Sequence, residues 1–452
     1  MAELYNLTAY EVARGIRQGE LSPVTLVEAL LQRIDALEPQ VQAWVTLDRA
    51  GALATAHELE QEMQNGRTRG ALHGIPVGVK DIYYTSGLKT TCGSRIFADF
   101  LPSYDATPVA RLKQAGAVIL GKTVTTEFAT LDPGPTRNPW HLAHTPGGSS
   151  SGSAAGVAAR MVPVALGSQT FGSIQRPAAY CGVYGLKPTF GRVSRYGVFP
   201  LSWSLDHVGP LARTVTDIAL ALQVLSGYDP YDPASSHAPV PDYLQAVQRA
   251  DRPPRLGLVR QFYLEQADTE LRAHTEAVAD RLARAGAPVE EVKLPESFRA
   301  VLAAHRMIMQ VETAAVHADL FRAHAELYGP RIRASIEAGS LIPGVHYLQA
   351  QRLRRLVRHD MTQVFQHSDF LLMPAASGPA PRDLTITGDP SFSALASFTG
   401  LPAITIPSGL NTAGLPLAVQ LLGPAFADDR LLAAARWCEV TLDVTLVPPL
   451  AG

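Results

Sequence analysis

Apolar positions recur every three to four residues in three early stretches of the chain, and then the rhythm changes. Thr8 can cap a helical run from about Ala9 to Gln18, and Ser22–Pro23 is an N-cap and first-turn pair before "VTLVEALLQRIDALE". A third helical pattern, "AGALATAHELEQEMQ", stops at Asn65–Gly66, so the first sixty-five residues read as helices. From Gly74 the period shortens. "GIPVGVKDI" (Gly74 to Ile82) and "AGAVILGKT" (Ala115 to Thr123) are short apolar runs with β-branched residues, and "TPVARLKQAG" between them is an amphipathic helix closed by Gly116. Strand, helix, strand predicts a parallel or mixed sheet with helices packed on it. "MVPVALGSQ", "RLGLVR", "DFLLMP", "LPAITIPSG" and "LPLAVQLLG" read as further strands. Thr214 to Ser226, Thr269 to Ala285, Ser297 to Leu327 and Tyr347 to Gln366 read as helices.

At 452 residues the length alone favours two or three domains. The pattern argues for one: strands resume after Asp369, so the middle helices read as an insertion or cap on a single sheet, with the Pro-rich Tyr228 to Tyr243 as the connection. Hydrophobic residues make up 46% and charged residues 18%, a soluble globular composition. The net charge of −2, from 39 basic and 41 acidic residues, gives no global pull towards nucleic acid or an anionic membrane. Three scattered cysteines, Cys92, Cys181 and Cys438, fit neither a disulfide framework nor a zinc spacing, and the thirteen histidines include no HExxH, so no metal is expected. The start lacks the basic-then-apolar order of a signal peptide, and no stretch approaches the ~18 apolar residues of a spanning helix, which leads to a cytoplasmic protein with no membrane partner.

Chemistry enters with "HTPGGSSSGSAAG", His144 to Gly156. Its composition is that of a linker or of a shaped loop. Gly148 to Gly152 matches G-x-S-x-G, with Ser150 as nucleophile, but that elbow needs a strand running into it and the preceding "PTRNPWHLAHTPGG" has none. No phosphate-cradling G-x-x-x-x-G-K-[ST] occurs here either. A helical "SAAGVAARM" follows, then a strand-like "VPVALG", then a second Gly/Ser loop, "GSQTFGSIQRPAAYCG". Two such loops flanking one helix and strand can meet in space.

The run "GGSSSGSAAGVAARMVPVALGSQTFGSIQRPAAYCGVYGLKPTFGRVSRYG" resembles the amidase signature region, whose members use a Ser–Ser–Lys triad. The resemblance continues through "SLDHVGPLARTVTDIALAL", reaches "GIPVGVKD" upstream and "GLPAITIPSG" and "GLPLAVQLLGP" downstream, and covers about Leu72 to Gly423. It implies an α/β fold: a large mixed, mostly parallel twisted sheet covered by helices on both faces. On that reading residues 1–452 form one domain, with an N-terminal helical segment (1–66), a signature core (67–227), a variable helical cap (about 228–368) and a C-terminal part of the sheet (369–452). Carried over by motif, the family's lysine falls on Lys80 and its bridging serine, which follows a cis peptide, on Ser149. Its nucleophile falls on Ser173, 24 positions later, the family's usual separation. Thr170, Phe171, Gly172 and Ser173 would supply the oxyanion hole.

The residues suit those roles. A serine hydroxyl is a poor nucleophile until a base takes its proton, and a lysine is a base only when burial lowers its pKa. Lys80 lies among Ile75, Val77, Val79 and Ile82 in a run that reads as an interior strand. Neutral Lys80 would take a proton from Ser149, which takes one from Ser173 and later returns it to the leaving amine. Taken singly, Lys80 could instead snorkel or pair with Asp81, Ser149 could be a solvated loop hydroxyl and Ser173 a helix N-cap. The chain also departs from the family: Phe171 stands where Gly is usual, Gln169 where many members have Asp, and the expected Arg is displaced to Arg176. Arg176 and Gln169 are candidate substrate contacts, with loop support as the other reading of Arg176. Cys181 and Lys187 read as packing and loop support.

The leading expectation is a cofactor-free serine hydrolase cleaving an amide or carbamate C–N bond, with an aryl or apolar group suggested by Phe171, Tyr83, Tyr84 and Phe199. Its partners would be a small-molecule substrate and no nucleic acid, with a homodimer left open. One alternative is the glutaminase subunit of a glutamine-dependent tRNA amidotransferase, suggested by "SRYGV" and "SLDHVGPLARTVTD" and requiring a partner protein with the tRNA-binding surface. Another is a non-catalytic protein that keeps the scaffold.

Overall fold

Eleven strands form one continuous sheet among the residues described by the computed structural model, 3–451. Residues 1, 2 and 452, the ends of the expected domain, lie outside the described residues. In chain order the strands are β1 (Trp44–Leu47), β2 (Pro76–Lys80), β3 (Val118–Thr123), β4 (Val164–Gln169), β5 (Tyr184–Lys187), β6 (His207–Ala212), β7 (Leu256–Leu258), β8 (Val289–Glu291), β9 (Phe370–Pro374), β10 (Ala403–Leu410) and β11 (Pro416–Leu422). Across the sheet they run β1-β3-β2-β4-β6-β5-β10-β11-β9-β7-β8. The α/β class and the mixed sheet agree with the sequence reading. Parallel pairing is confined to two blocks, β3-β2-β4 and β9-β7-β8, while the other ladders among the described residues are antiparallel.

The first parallel block positions the site. β2 lies between β3 and β4, with Lys80 opposite Thr123 and Val79 opposite both Lys122 and Leu166. Every residue of these three strands is buried, which explains their near-continuous apolar runs. Parallel strands present their carboxyl ends on one side, so the loops after Lys80, Thr123 and Gln169 open together, where α/β sheets bind ligands.

The helical expectations hold with shifted ends. Thr8 caps Ala9–Arg17 in a reciprocal capping box with Glu11, Ser22 caps Pro23–Val41, and Asp48 caps Arg49–Gln64. The all-helical reading of the first sixty-five residues is corrected by β1, a four-residue edge strand on β3 too short for alternation to register. In the middle region the strand read at "RLGLVR" is β7, and β8 pairs with it as a further strand at the edge of the sheet. The cap is built from Val301–His324, Pro330–Ser340 and Gly344–Val364. Ile308, Val357 and Met361 of these helices pack with Phe171, Phe392 and Phe398 in a second hydrophobic cluster above the sheet. The Pro-rich connection is pinned rather than free: Asp229 accepts from Ser194, Asp232 pairs with Arg195, and Arg192 donates to the carbonyls of Ala238 and Pro239.

Candidate active site

Lys80 ends β2 with no solvent exposure. Its Nζ lies 2.7 Å from Ser149 Oγ and 2.8 Å from Ser168 Oγ, the latter on β4. Asp81, the adjacent carboxylate, turns away to Lys122, Thr91 and the Thr91 amide, so it is no partner of Lys80. Burial pushes the Lys80 ammonium well below the ordinary lysine range, against smaller opposing pulls from Asp206 and Cys92. A fully buried lysine whose hydrogen-bond partners are two hydroxyls gives up its proton readily.

The first Gly/Ser loop is a shaped one. The Gly148–Ser149 peptide is cis, as the resemblance implied. Gly147 sits at a positive φ of 79°, and a Cβ on it would come within 2.8 Å of Pro177 Cα. The serines after Ser149 are all engaged: Ser150 exchanges bonds with the Ser168 backbone, Ser151 donates to Val124 O, and Ser153 donates to Leu166 O. Ser150 is therefore a strap between the loop and β4 and does not face a substrate as an elbow nucleophile would.

The second loop lies against the first. Ser150 N donates to Ser173 O at 3.2 Å, which brings the two loops together through the backbone. Ser173 lines a small cavity of about 40 Å³ with Ala129–Leu131, Thr170, Phe171, Met309, Thr313, Ser335 and Pro390. Its Oγ makes no hydrogen bond among the described residues, and the chain of contacts from Lys80 stops at Ser149. Lys80 is thus bonded to Ser149, and Ser173 is tied by its carbonyl to the next residue, Ser150, with no hydrogen bond between the two hydroxyls among the described residues. Thr170 Oγ1 donates to Asp206 at 2.5 Å, and the amides of Phe171, Gly172 and Ser173 donate to nothing among the described residues.

The candidate substrate contacts serve the loops. Gln169 accepts from the amides of Ile174 and Gln175 and donates to Gln175 and Ser397. Arg176 is buried and donates to Gly388 O, to Gly148 O beside the cis peptide, and to Thr387 Oγ1, with its pKa lowered by burial to about 10. Phe171 lines the cavity and stacks on His305, ring centroids 4.0 Å apart. Cys181 is buried on Pro146 O with its thiol pKa raised, so it is no nucleophile. Buried Lys187, pushed down to about 7, donates to Pro188 O. Tyr83 donates to Gly167 O inside the core. Tyr84 and Phe199 instead line a larger cleft of about 380 Å³ with Tyr104, Tyr196, Trp203 and Tyr231, which shares Ala129, Thr170 and Leu201 with the Ser173 cavity. No group of metal-ligating side chains occurs among the described residues.

The Amidase family profile matches residues 25–432. The chain belongs to this family. As a member it is an amidase, an enzyme acting on carbon–nitrogen bonds. Among solved structures the amidase chain superposes with a TM-score of 0.88 on the native peptide amidase of Stenotrophomonas maltophilia, at 33% identity over 99% of each chain. It superposes with a TM-score of 0.90, at 33% identity over 96% of this chain and 98% of the other, on a protein from a vestigial complex bearing on the origins of an s-triazine catabolic enzyme. In sequence it is 39% identical, over 96% of each chain, to one of the subunits of the glutamyl-tRNA(Gln) amidotransferase of Geobacter sp. (strain M21).

That last similarity corrects two expectations. The leading reading, a free-standing hydrolase of an aryl or apolar amide or carbamate, gives way to the alternative of an amidotransferase subunit. The expectation of a small molecule as sole partner and of no nucleic acid falls with it, since the relative is a subunit of an enzyme named for a tRNA. Of the four aromatic residues behind the leading reading, Tyr83 is structural, Tyr84 and Phe199 face the neighbouring cleft, and Phe171 lines the Ser173 cavity while stacking on His305. No helix among the described residues is long and apolar enough to cross a membrane.

Proposed function

We propose that this amidase is the glutaminase subunit of a glutamine-dependent tRNA amidotransferase, working in the cytoplasm with a partner protein that carries the tRNA. The observation that carries the chemistry is Lys80 Nζ, buried with no carboxylate in hydrogen-bond contact among the described residues and bonded to Ser149 and Ser168. Ser173 Oγ attacks the side-chain amide carbon of glutamine while its proton passes to Ser149 and that of Ser149 to Lys80. The oxygen of the tetrahedral adduct takes hydrogen bonds from the free amides of the Phe171–Ser173 turn. The C–N bond breaks as Ser149 returns a proton to the nitrogen, ammonia leaves, and water then cleaves the γ-glutamyl ester to give glutamate. Thr170, in the candidate hole, contributes its hydroxyl to Asp206 and so fixes the start of the turn.

The Ser173 cavity has one charged lining side chain, Arg176, committed to three loop oxygens. The α-ammonium and α-carboxylate of glutamine therefore face the adjoining recess, which shares Leu131 and presents Arg331, Asp268 and Asp389. The test is ammonia release from glutamine by the chain assembled with its partner proteins. Turnover that disappears in Ser173→Ala is expected. Hydrolysis of other amides that depends on Ser173, with none of glutamine under any assembly, would overturn the proposal.

A further inference from the structure

The turn from Thr170 to Ser173 has its carbonyls pinned one after another. Thr170 O accepts from His305 Nε2 at 2.9 Å, Phe171 O from Ser397 Oγ at 2.7 Å, and Gly172 O from the Arg176 amide at 2.9 Å. These peptides are trans, Gly148–Ser149 being the cis bond of the described residues. In a planar trans peptide the C=O and the N–H point in opposite directions. Holding the Thr170 carbonyl towards the helix Val301–His324 therefore turns the Phe171 N–H away from that helix. Holding the Phe171 carbonyl towards the helix Ala394–Thr399 does the same for the Gly172 N–H.

We propose that His305 and Ser397 are positioning residues that aim the oxyanion-hole amides of Phe171 and Gly172. Neither residue lines the Ser173 cavity, so they act through the turn. His305 is built for the task. It has no exposure, its ring stacks on Phe171 at 29°, and its Nδ1 has no partner among the described residues. A second proton on Nδ1 would be buried and unpaired, so the ring stays neutral with its single proton on Nε2, facing Thr170 O. Burial also lowers its pKa to about 3, in keeping with a fixed donor rather than a titrating one. The large ring at position 171 makes this clamp available, because it carries the stacking face that fixes the plane of the imidazole. His305 thereby acts on the reaction centre through the turn, apart from the Met309 and Thr313 of the same helix that line the cavity.

The inference rests on Ser173 being the nucleophile, and the experiment separates the two. His305→Phe keeps a ring against Phe171 and removes the donor, while His305→Gln keeps an N–H donor and removes the ring. Loss of one oxyanion donor typically slows chemistry about 100-fold or more, and a misaimed donor that is still present costs less, so kcat should fall at least about tenfold in His305→Phe with KM within about twofold. His305→Gln should recover to within about threefold of wild type. Ser397→Ala, a smaller change, reads the next peptide plane and should also lower kcat more than it raises KM. Phosphonylation of Ser173 by a fluorophosphonate, which needs no knowledge of the amide, should slow in the same order. Equal labelling rates in wild type and both donor-deleted variants would overturn the aiming role and leave the nucleophile standing. A kcat loss in His305→Phe that His305→Gln does not relieve would reduce His305 to packing. A wild type that is not labelled at Ser173 would bring down the nucleophile, and this inference with it.

Discussion

Lys80 is enclosed by the sheet with two hydroxyls as neighbours, and both its reactivity and its cost to the fold follow from that. Its folded pKa lies well below the ordinary value near about 10.4 that it has in the unfolded chain. Activity needs the neutral amine, so kcat/KM should fall on the acid side as Lys80 gains a proton; a flat profile down to about pH 5 would contradict its role as base. Lys80→Arg, which keeps its proton at every working pH, should lose about 10²–10⁴ in kcat/KM. The same shift carries a sign for stability. Below the unfolded pKa the unfolded chain binds a proton that the folded chain holds more weakly, so the contribution of Lys80 is complete above that pKa and shrinks as pH falls towards the folded value. Lys80→Met should therefore melt higher than wild type, with a gap that widens towards acid and closes near about pH 10, measured by thermal denaturation across pH. The candidates Lys80, Ser149 and Ser173 can be picked out in the sequence because each sits in a contiguous motif of its own. His305, Ser397 and Ser335 cannot, because they reach the site from helices remote in sequence whose residues follow only a packing pattern.

At the scale of elements the cap is fastened to the site by carboxylates borrowed from another loop. The helix Pro330–Ser340 starts after Gly329, which has no side chain to satisfy its first amides. The oxygens come from about two hundred residues upstream: Glu127 accepts from Gly329 N at 2.7 Å, and Asp132 accepts from Arg331 N and Ile332 N at 3.2 and 2.8 Å. Between these two carboxylates run Ala129, Thr130 and Leu131, which line the Ser173 cavity opposite Ser335 of the same helix. Asp132→Ala should cost about 1 kcal/mol, the usual loss for an N-cap. It should raise hydrogen exchange over 330–340 and raise KM more than it lowers kcat; unchanged exchange there would show that the helix start does not depend on Asp132. Element legibility followed burial and length. β2, β3, β4, β7, β9, β10 and β11 are visible as apolar runs, each lined largely by buried residues. β5 (YGLK) and β6 (HVGPLA) are buried too, but glycine, proline and charge interrupt their patterns, and β8 (VEE) is a three-residue exposed edge.

The whole molecule poses a problem that the site alone does not. The function proposed above places the chain in a tRNA-dependent assembly, yet it has 39 basic against 41 acidic residues, and many of its arginines are already paired. Arg69, Arg195, Arg255, Arg260 and Arg333 all meet carboxylates, and Arg176, Arg192 and Arg354 donate to backbone carbonyls inside the fold. Binding to tRNA draws on unpaired cations that displace condensed counterions, and its strength falls steeply with salt in proportion to the phosphates neutralised. A chain without a basic excess exerts no net pull on the phosphate backbone. The purified chain should therefore fail to retain tRNA at about 0.15 M salt, whereas the assembly with its partner should bind it with a steep salt slope that the partner by itself largely reproduces. Titration of labelled tRNA against the isolated chain, the partner and the assembly over a range of salt measures all three. Retention by the isolated chain at that salt would place a phosphate-binding surface on it and shift the division of labour between the two proteins.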